Sequence, residues 1–297
     1  MQKINLQARL KNFNKNFKYK NFKIIAPFAN LFELNNEDKK KIDNAARSFL
    51  NSALKQDKFK ATNNIAQELK RKNYKNISTS GIIVPKFYCS LEYNLLMRRF
   101  YKIIDNLGIN IKSYYSSLPV RIKFGDFTPT NSAIIDSGIL HVDSTTGFST
   151  NCLAIFLNLS GDIQNNYIKF WKIKKKFKEI PFELLTKLNI TEEVKKYYEP
   201  ISFKLKFNEI LVADNLIYHQ TIKKKNCGPR ISIDQLCEPL FMCGKDVKNF
   251  HRKKDLELTN KLLSVGEKFI FHYPHTDREI KKTFGLQSPA YKQEIKF

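Results

Sequence analysis

Five histidines occur in this chain of 297 residues, and His141 is followed two positions later by a carboxylate, in His141-Val142-Asp143. The segment GILHVDS (138–144) has the composition of a β-strand, in which residues i and i+2 project from one face. An imidazole and a carboxylate are therefore offered to a single point. Alone, the triplet is a short signal, and a core histidine beside a turn aspartate competes with it. A second imidazole, His219, follows 76 residues after Asp143 in another strand-like segment, IYHQTI (217–222), with Asp214 and Tyr218 just before it. Two imidazoles and one carboxylate on one face of an octahedral ion leave three positions open, an arrangement that suits Fe(II). Eleven residues beyond His219 comes Arg230, in Gly228-Pro229-Arg230-Ile231-Ser232-Ile233-Asp234. On a strand, Arg230 and Ser232 point the same way. A guanidinium fork with one extra hydroxyl is what the tail of a bound dicarboxylate needs.

Other candidates carry less. Arg121, an isolated arginine in a lysine-dominated chain, reaches an anionic substrate or closes a salt bridge. Ser144 to Asn151 can form a loop over the metal, with Thr150 and Asn151 facing the ligand. Trp171 reads as packing. His272 and His275, with Asp277, have metal-ligand types, but Pro274 between them breaks any helix that would align them. The runs Lys174–Lys176 and Lys223–Lys225 read as solvated loops or as a funnel for an anionic ligand. Cys89, Cys152, Cys227, Cys237 and Cys243 are odd in number and contain no C-x-x-C pair. That argues against a disulfide framework and a zinc site, and for reduced thiols in the cytoplasm.

These residues need strands to hold them. Eight short β-type segments are expected between about 117 and 240: 120–126, 138–144, 152–160, 167–172, 201–206, 209–214, 217–222 and 229–238. An insertion at 173–200 reads as helical, in PFELLTKL and TEEVKKYY. Strands without intervening crossover helices favour an antiparallel jelly roll over a parallel sheet. The part to about residue 116 is expected to be mainly helical. Ile42, Ala45, Ala46, Phe49, Leu50, Ala53 and Leu54 form one stripe, and a second helix runs from Ser90 to Gly108. Residues 241–297 form a lysine-rich extension with helices expected around 254–264 and 276–284. The whole is expected to be one α+β domain, a jelly-roll core with N-terminal helices and a C-terminal helical extension.

The order H-x-D, distal His, then R-x-S, over about 118–240, resembles the Fe(II)/2-oxoglutarate-dependent dioxygenases. The nearest flavour is their phytanoyl-CoA-hydroxylase-like group, built on a double-stranded β-helix of cupin-like form. The resemblance implies that His141, Asp143 and His219 hold Fe(II) and that Arg230, helped by Ser232, pairs with the distal carboxylate of 2-oxoglutarate. It further implies O2 as a cosubstrate, decarboxylation to succinate and CO2, and hydroxylation of a small or carrier-bound metabolite. Halogenating relatives carry a small residue in place of the carboxylate, so Asp143 points to a hydroxylase or another oxidative tailoring enzyme. Substrate recognition is expected from the N-terminal helices and the 173–200 insertion. The alternatives are a non-catalytic cupin-like binding protein, in which Arg230 has no purpose, and a basic nucleic-acid-binding or demethylating protein.

The charge bears on the last of these. Of 52 Lys+Arg against 28 Asp+Glu, a net +24, nine are arginine and 43 lysine. Lys, Asn, Ile, Phe and Tyr share A/T-rich codons, which accounts for much of the excess. A surface that reads phosphates or bases favours arginine. Nucleic acid is therefore disfavoured, and an anionic small molecule fits the remaining charge. No apolar run reaches the ~18 residues of a membrane span, and residues 1–23 lack the apolar core of a signal peptide. Oligomeric state has no signature here.

Overall fold

The computed structural model describes residues 2–55, 76–77, 81–83, 85–115, 118–125, 138–146, 148–187, 190–242, 256–258, 269–272 and 292–295. Apolar runs with β-branched and aromatic residues form most of its strands: β1 (Lys3–Asn5), β2 (Lys23–Ala26), β3 (Ala29–Glu33), β4 (Ile111–Tyr115), β5 (Val120–Lys123), β6 (Leu153–Gly161), β7 (Asn166–Ile173), β8 (Glu179–Pro181), β9 (Tyr198–Pro200), β10 (Glu209–Asp214), β11 (Tyr218–Lys223) and β12 (Arg230–Pro239). Short strands β13 (Leu256–Leu258), β14 (Phe269–His272) and β15 (Lys292–Ile295) follow. The helices are α1 (Leu6–Lys15), α2 (Asn36–Ala53), α3 (Ser90–Asn106) and α4 (Thr191–Tyr197).

Among the described residues, eight strands make a large sheet in the order β13-β4-β12-β6-β10-β3-β2, with β5 also paired to β12. A smaller sheet runs β11-β7-β9, and residue 141 pairs with residue 219 to extend it past β11. From β5 to β12 the chain passes back and forth between the two sheets, and every pairing is antiparallel. This mixed helix-and-sheet arrangement fits a jelly roll. Phe156 of the large sheet meets Phe170 of the small one edge to face, 5.3 Å between ring centres, so the sheets' inner faces touch.

The large sheet is covered on its outer side by α2 and α3, whose apolar stripes are largely buried as their spacing predicts, with Leu95 of α3 an exposed exception. Tyr93 accepts from the amide of Leu118 at 2.7 Å, and the Tyr101 and Tyr114 rings stack 4.3 Å apart. Helix α2 starts at the Asn35 cap and α3 ends before Gly108, whose φ of +73° suits glycine. On β12 the alternation is clear. Ile231 and Ile233 face the helices, and Arg230, Ser232 and Asp234 face the small sheet.

Several expectations need correction. The N-terminal part carries strands beside its helices: β2, β3 and β4 extend the large sheet, and β1 pairs with β8 of the insertion. The segment 201–206 forms no strand, although the amide of Ile201 donates to the carbonyl of Phe170 at 2.9 Å; its predecessors 198–200 pair with β7. Segment 138–144 makes one bridge, at residue 141, before turning. The insertion holds a 3₁₀ turn (Phe182–Leu185) and α4, close to expectation. Of the helix expected at 254–264, residues 256–258 are strand. The one expected at 276–284, like Cys243, His251, His275 and Asp277, lies outside the described residues. Among the described residues no helix is long and apolar enough to cross a membrane.

One buried ion pair ties the N-terminal helix to the core. Arg9 is 2% exposed; its Nε and Nη2 reach Asp214 at 2.8–3.2 Å, and Nη2 also donates to the carbonyl of Thr150 at 2.7 Å. Asp214 in turn accepts from the amide of Leu216 at 2.8 Å. Asp214→Ala would leave a buried guanidinium unpaired, and urea unfolding should show a loss of about 3–5 kcal/mol. The Arg9→Met/Asp214→Leu double variant should recover most of it; recovery of none would mean the pair contributes more than charge compensation.

Candidate functional site

The two histidines meet through their backbones. The amide of His141 donates to the carbonyl of His219 at 3.1 Å, and the amide of His219 donates to that of His141 at 2.9 Å. Residues exchanging both bonds are directly opposite, and their side chains share a face. The rings accordingly lie 4.5 Å apart, tilted by 55°. Both are 8% exposed. Immediately after Val142 the chain enters a 3₁₀ turn, Asp143–Thr146, held by the amide and hydroxyl of Thr145 on the Val142 carbonyl. That turn swings Asp143 toward the rings, and its Oδ2 stands 3.9 Å from Nε2 of His219. One ligand atom from each of His141, Asp143 and His219 falls within 4.8 Å of the others.

The tautomers suit a metal. Nδ1 of His141 lies 2.7 Å from the carbonyl of Ile139, and Nδ1 of His219 lies 3.5 Å from that of Ile217. A proton held on Nδ1 leaves the Nε2 lone pair for coordination. Burial, then the neighbouring His219, pushes the His141 pKa down to about 4, against an opposing pull from Asp143. His141 is thus neutral near pH 7, the form that binds a cation. Phe156 packs edge-on against His219, 5.2 Å between centres, and Phe170 lies opposite it on β7; these rings keep water from one flank.

The ligand-bearing segments are braced from outside. Ser144, next to Asp143, donates to the carbonyl of Leu185, and Tyr218, next to His219, donates to that of Leu184. The 3₁₀ turn of the insertion therefore grips both segments, a role its sequence did not announce. Arg9 grips the flanking chain at Thr150 and Asp214.

On the inner face of β12, Arg230 and Ser232 are each 1% exposed. Among the described residues the Arg230 guanidinium has one hydrogen-bond partner, Oδ1 of Asn158 at 3.1 Å. Its Nε and the hydroxyl of Ser232 are buried without any partner. Burial lowers the Arg230 pKa, with Asp234 opposing, yet a guanidinium stays charged throughout the physiological range. A desolvated cation beside an orphaned hydroxyl costs free energy unless an anion completes it. Register links this face to the histidines: Ser232 is opposite Asn158 and Asp234 opposite Phe156, which touches His219.

The remaining candidates fall elsewhere. Arg121 closes a salt bridge, Nε to Oδ2 of Asp234 at 3.1 Å. Thr150 and Asn151 are buried in the turn before β6, where Arg9 takes the Thr150 carbonyl. Trp171 is opposite Tyr218, on the outer face of the small sheet, and packs on the core as expected. Lys175, Lys176 and Lys223–Lys225 are exposed, and Lys174 binds the carbonyls of Lys195 and Lys196. Asn158 escaped sequence reading, although it is the one polar residue in the run LAIFLNL.

No model of a known protein family matches the chain, and no curated protein matches it. Solved structures do. The non-heme alpha-ketoglutarate-dependent epimerase SnoN of nogalamycin biosynthesis is 11% identical over 79% of this chain and 82% of its own, TM-score 0.41. AviO1 from Streptomyces viridochromogenes Tue57 is 11% identical over 82% and 98%, TM-score 0.44. HygX from Streptomyces hygroscopicus, solved with nickel and 2-oxoglutarate, is 11% identical over 72% and 83%, TM-score 0.38. Several of the matching structures are thus 2-oxoglutarate-dependent enzymes; at this distance the site stands on its own atoms.

The depressed His141 pKa has a consequence for stability. Its folded-state value of about 4 lies below the ordinary 6.5, so the unfolded chain takes up the proton first as pH falls. The metal-free protein should lose roughly 3 kcal/mol between pH 6.5 and 4 from this group, read from urea midpoints in a chelating buffer. His141→Gln should flatten the profile in that window; an unaltered slope would assign the loss to other groups.

Proposed function

We propose that this protein is an Fe(II)- and 2-oxoglutarate-dependent oxygenase on a double-stranded β-helix core, oxidising a small or carrier-bound metabolite with release of succinate and CO2. What carries the reading is one juxtaposition. A His-Asp-His cluster, with its ligand atoms within 4.8 Å of one another, shares the inner space of the two sheets with a buried arginine whose Nε lacks a partner and a buried serine hydroxyl that lacks one too. The alternation between sheets supports the fold assignment: β5, β12, β6 and β10 adjoin in the large sheet, and residue 141, β11, β7 and β9 in the small one.

The residues fit the implied groups. His141, Asp143 and His219 would hold Fe(II) by two neutral imidazoles and one carboxylate, leaving positions for the keto acid and O2. When bound, iron with 2-oxoglutarate and O2 supplies the oxidising power that the side chains lack. The chain's own part is to position and to exclude water. Arg230 would take the distal carboxylate through its unused guanidinium edge, and Ser232 would donate its hydroxyl proton to the same group. The carbonyls of Ile139 and Ile217 keep the Nδ1 protons in place, and Phe156 and Phe170 shield His219. A barrel with purely structural histidines has no use for a buried guanidinium with an orphaned Nε, which disfavours a non-catalytic binding protein.

Anaerobic addition of Fe(II) and 2-oxoglutarate should produce a visible metal-to-keto-acid charge-transfer band. His219→Ala should abolish it, and an undiminished band in that variant would remove the iron assignment. Arg230→Ala should keep Fe(II) affinity and weaken 2-oxoglutarate by about 2–5 kcal/mol in a titration of the band. Equal affinity for the keto acid would exclude Arg230 from the site.

A further inference from the structure

Arg230 is not merely present; it is aimed. A guanidinium offers two edges that can grip a carboxylate with paired N–H bonds, one formed by Nε and Nη2 and one by the two terminal nitrogens. The Oδ1 of Asn158 accepts from Nη1 at 3.1 Å, which engages the terminal edge. The orphaned Nε belongs to the other. Asn158 is itself fixed: its Nδ2 donates to the carbonyl of Leu205 at 2.8 Å, and it is 3% exposed. The backbone shows how it arrives there. Between Ile231 and Ser232 the β12–β6 register shifts by a bulge, so that Ser232 faces Asn158 and not Leu159. Without it, Asn158 would stand opposite Ile233 and share that residue's outward face. Bulges that re-aim a side chain recur beside active sites.

We propose that Asn158 is a positioning residue for the keto-acid site: by holding Nη1 it presents the Nε/Nη2 edge of Arg230 to the distal carboxylate. A neutral acceptor is needed for this. It orients the guanidinium without consuming its charge, whereas a carboxylate in the same place would compete with the ligand. The segment 201–206, which belongs to no strand, gains a purpose as the support that holds Asn158 through Leu205. This inference rests on the keto-acid reading given above.

The test is calorimetric titration of 2-oxoglutarate into anaerobic Fe(II)-loaded protein, with Fe(II) affinity measured separately by chelator competition. Asn158→Leu removes both hydrogen bonds, and Asn158→Asp keeps the shape and adds a charge. Each should raise the 2-oxoglutarate Kd about 10- to 100-fold, the range for a hydrogen bond to a charged group, with Fe(II) affinity within about threefold of wild type. Should the leucine variant fail to fold, the near-isosteric aspartate variant decides. A wild-type Kd in the folded variants, or an equal loss of Fe(II) affinity, would overturn the proposal, because a purely structural asparagine predicts one or the other. If wild-type protein binds no 2-oxoglutarate, the oxygenase reading itself fails and this inference falls with it.

Discussion

The pair of hydrogen bonds exchanged between His141 and His219 is the constraint on which the site depends. Two residues 78 positions apart are made direct cross-strand neighbours by a single bridge. No further ladder continues from residue 142, so the geometry cannot be inherited from a long strand. It has to be held by what surrounds it. The turn after Val142 brings Asp143 round, the 3₁₀ turn of the insertion grips Ser144 and Tyr218, and Arg9 ties Thr150 to Asp214. Each brace lies within a few residues of a candidate ligand. A rigid cluster therefore emerges from a locally weak piece of sheet.

The two buried arginines show how the same side chain serves opposite ends. Arg9 meets a full counter-charge: Asp214 matches its Nε/Nη2 fork, and the Thr150 carbonyl takes a further proton. Such a pair compensates charge and fixes where α1 docks. Arg230 is left incomplete, with one neutral partner and an orphaned Nε beside an orphaned hydroxyl. In a protein interior an unfinished cation is tolerated where an anion completes it. The difference between the two follows from a single choice of neighbour, aspartate in one case and asparagine in the other. Asp234, the carboxylate nearest in sequence, is engaged by Arg121.

Much of the framework was legible in advance. The runs VRIK, LAIFLNLSG, YIKFWK, EILVAD and RISIDQLCE are strands because β-branched and aromatic residues alternate or persist between turn residues. The helical stripe at 42–54 is core-facing for the same kind of reason, as is the second from Leu96 to Ile104, whereas Leu95 at its expected start is exposed. The failures share a cause as well. KIIA and ANLFE sit among asparagine and lysine, and become strands because the edge of β10 is there to pair with ANLFE, which in turn pairs with KIIA. Conversely, ISFKLK alternates correctly yet forms no strand, with isolated hydrogen bonds at Ile201 and Leu205.

By itself, the sequence determined which residue types were available and their order. It supplied an H-x-D in a strand-like segment, a later histidine in another, and one R-x-S eleven residues after that histidine. Period-two alternation placed Arg230 and Ser232 on one face without any structure. Tertiary structure alone decided that the histidines are opposite each other, that Arg121 is already paired and that Asn158 holds Arg230. Cross-strand register, a bulge and the loss of solvent are properties of chains in contact. None of them is encoded in the spacing of residues along one strand, because each depends on which backbone lies alongside.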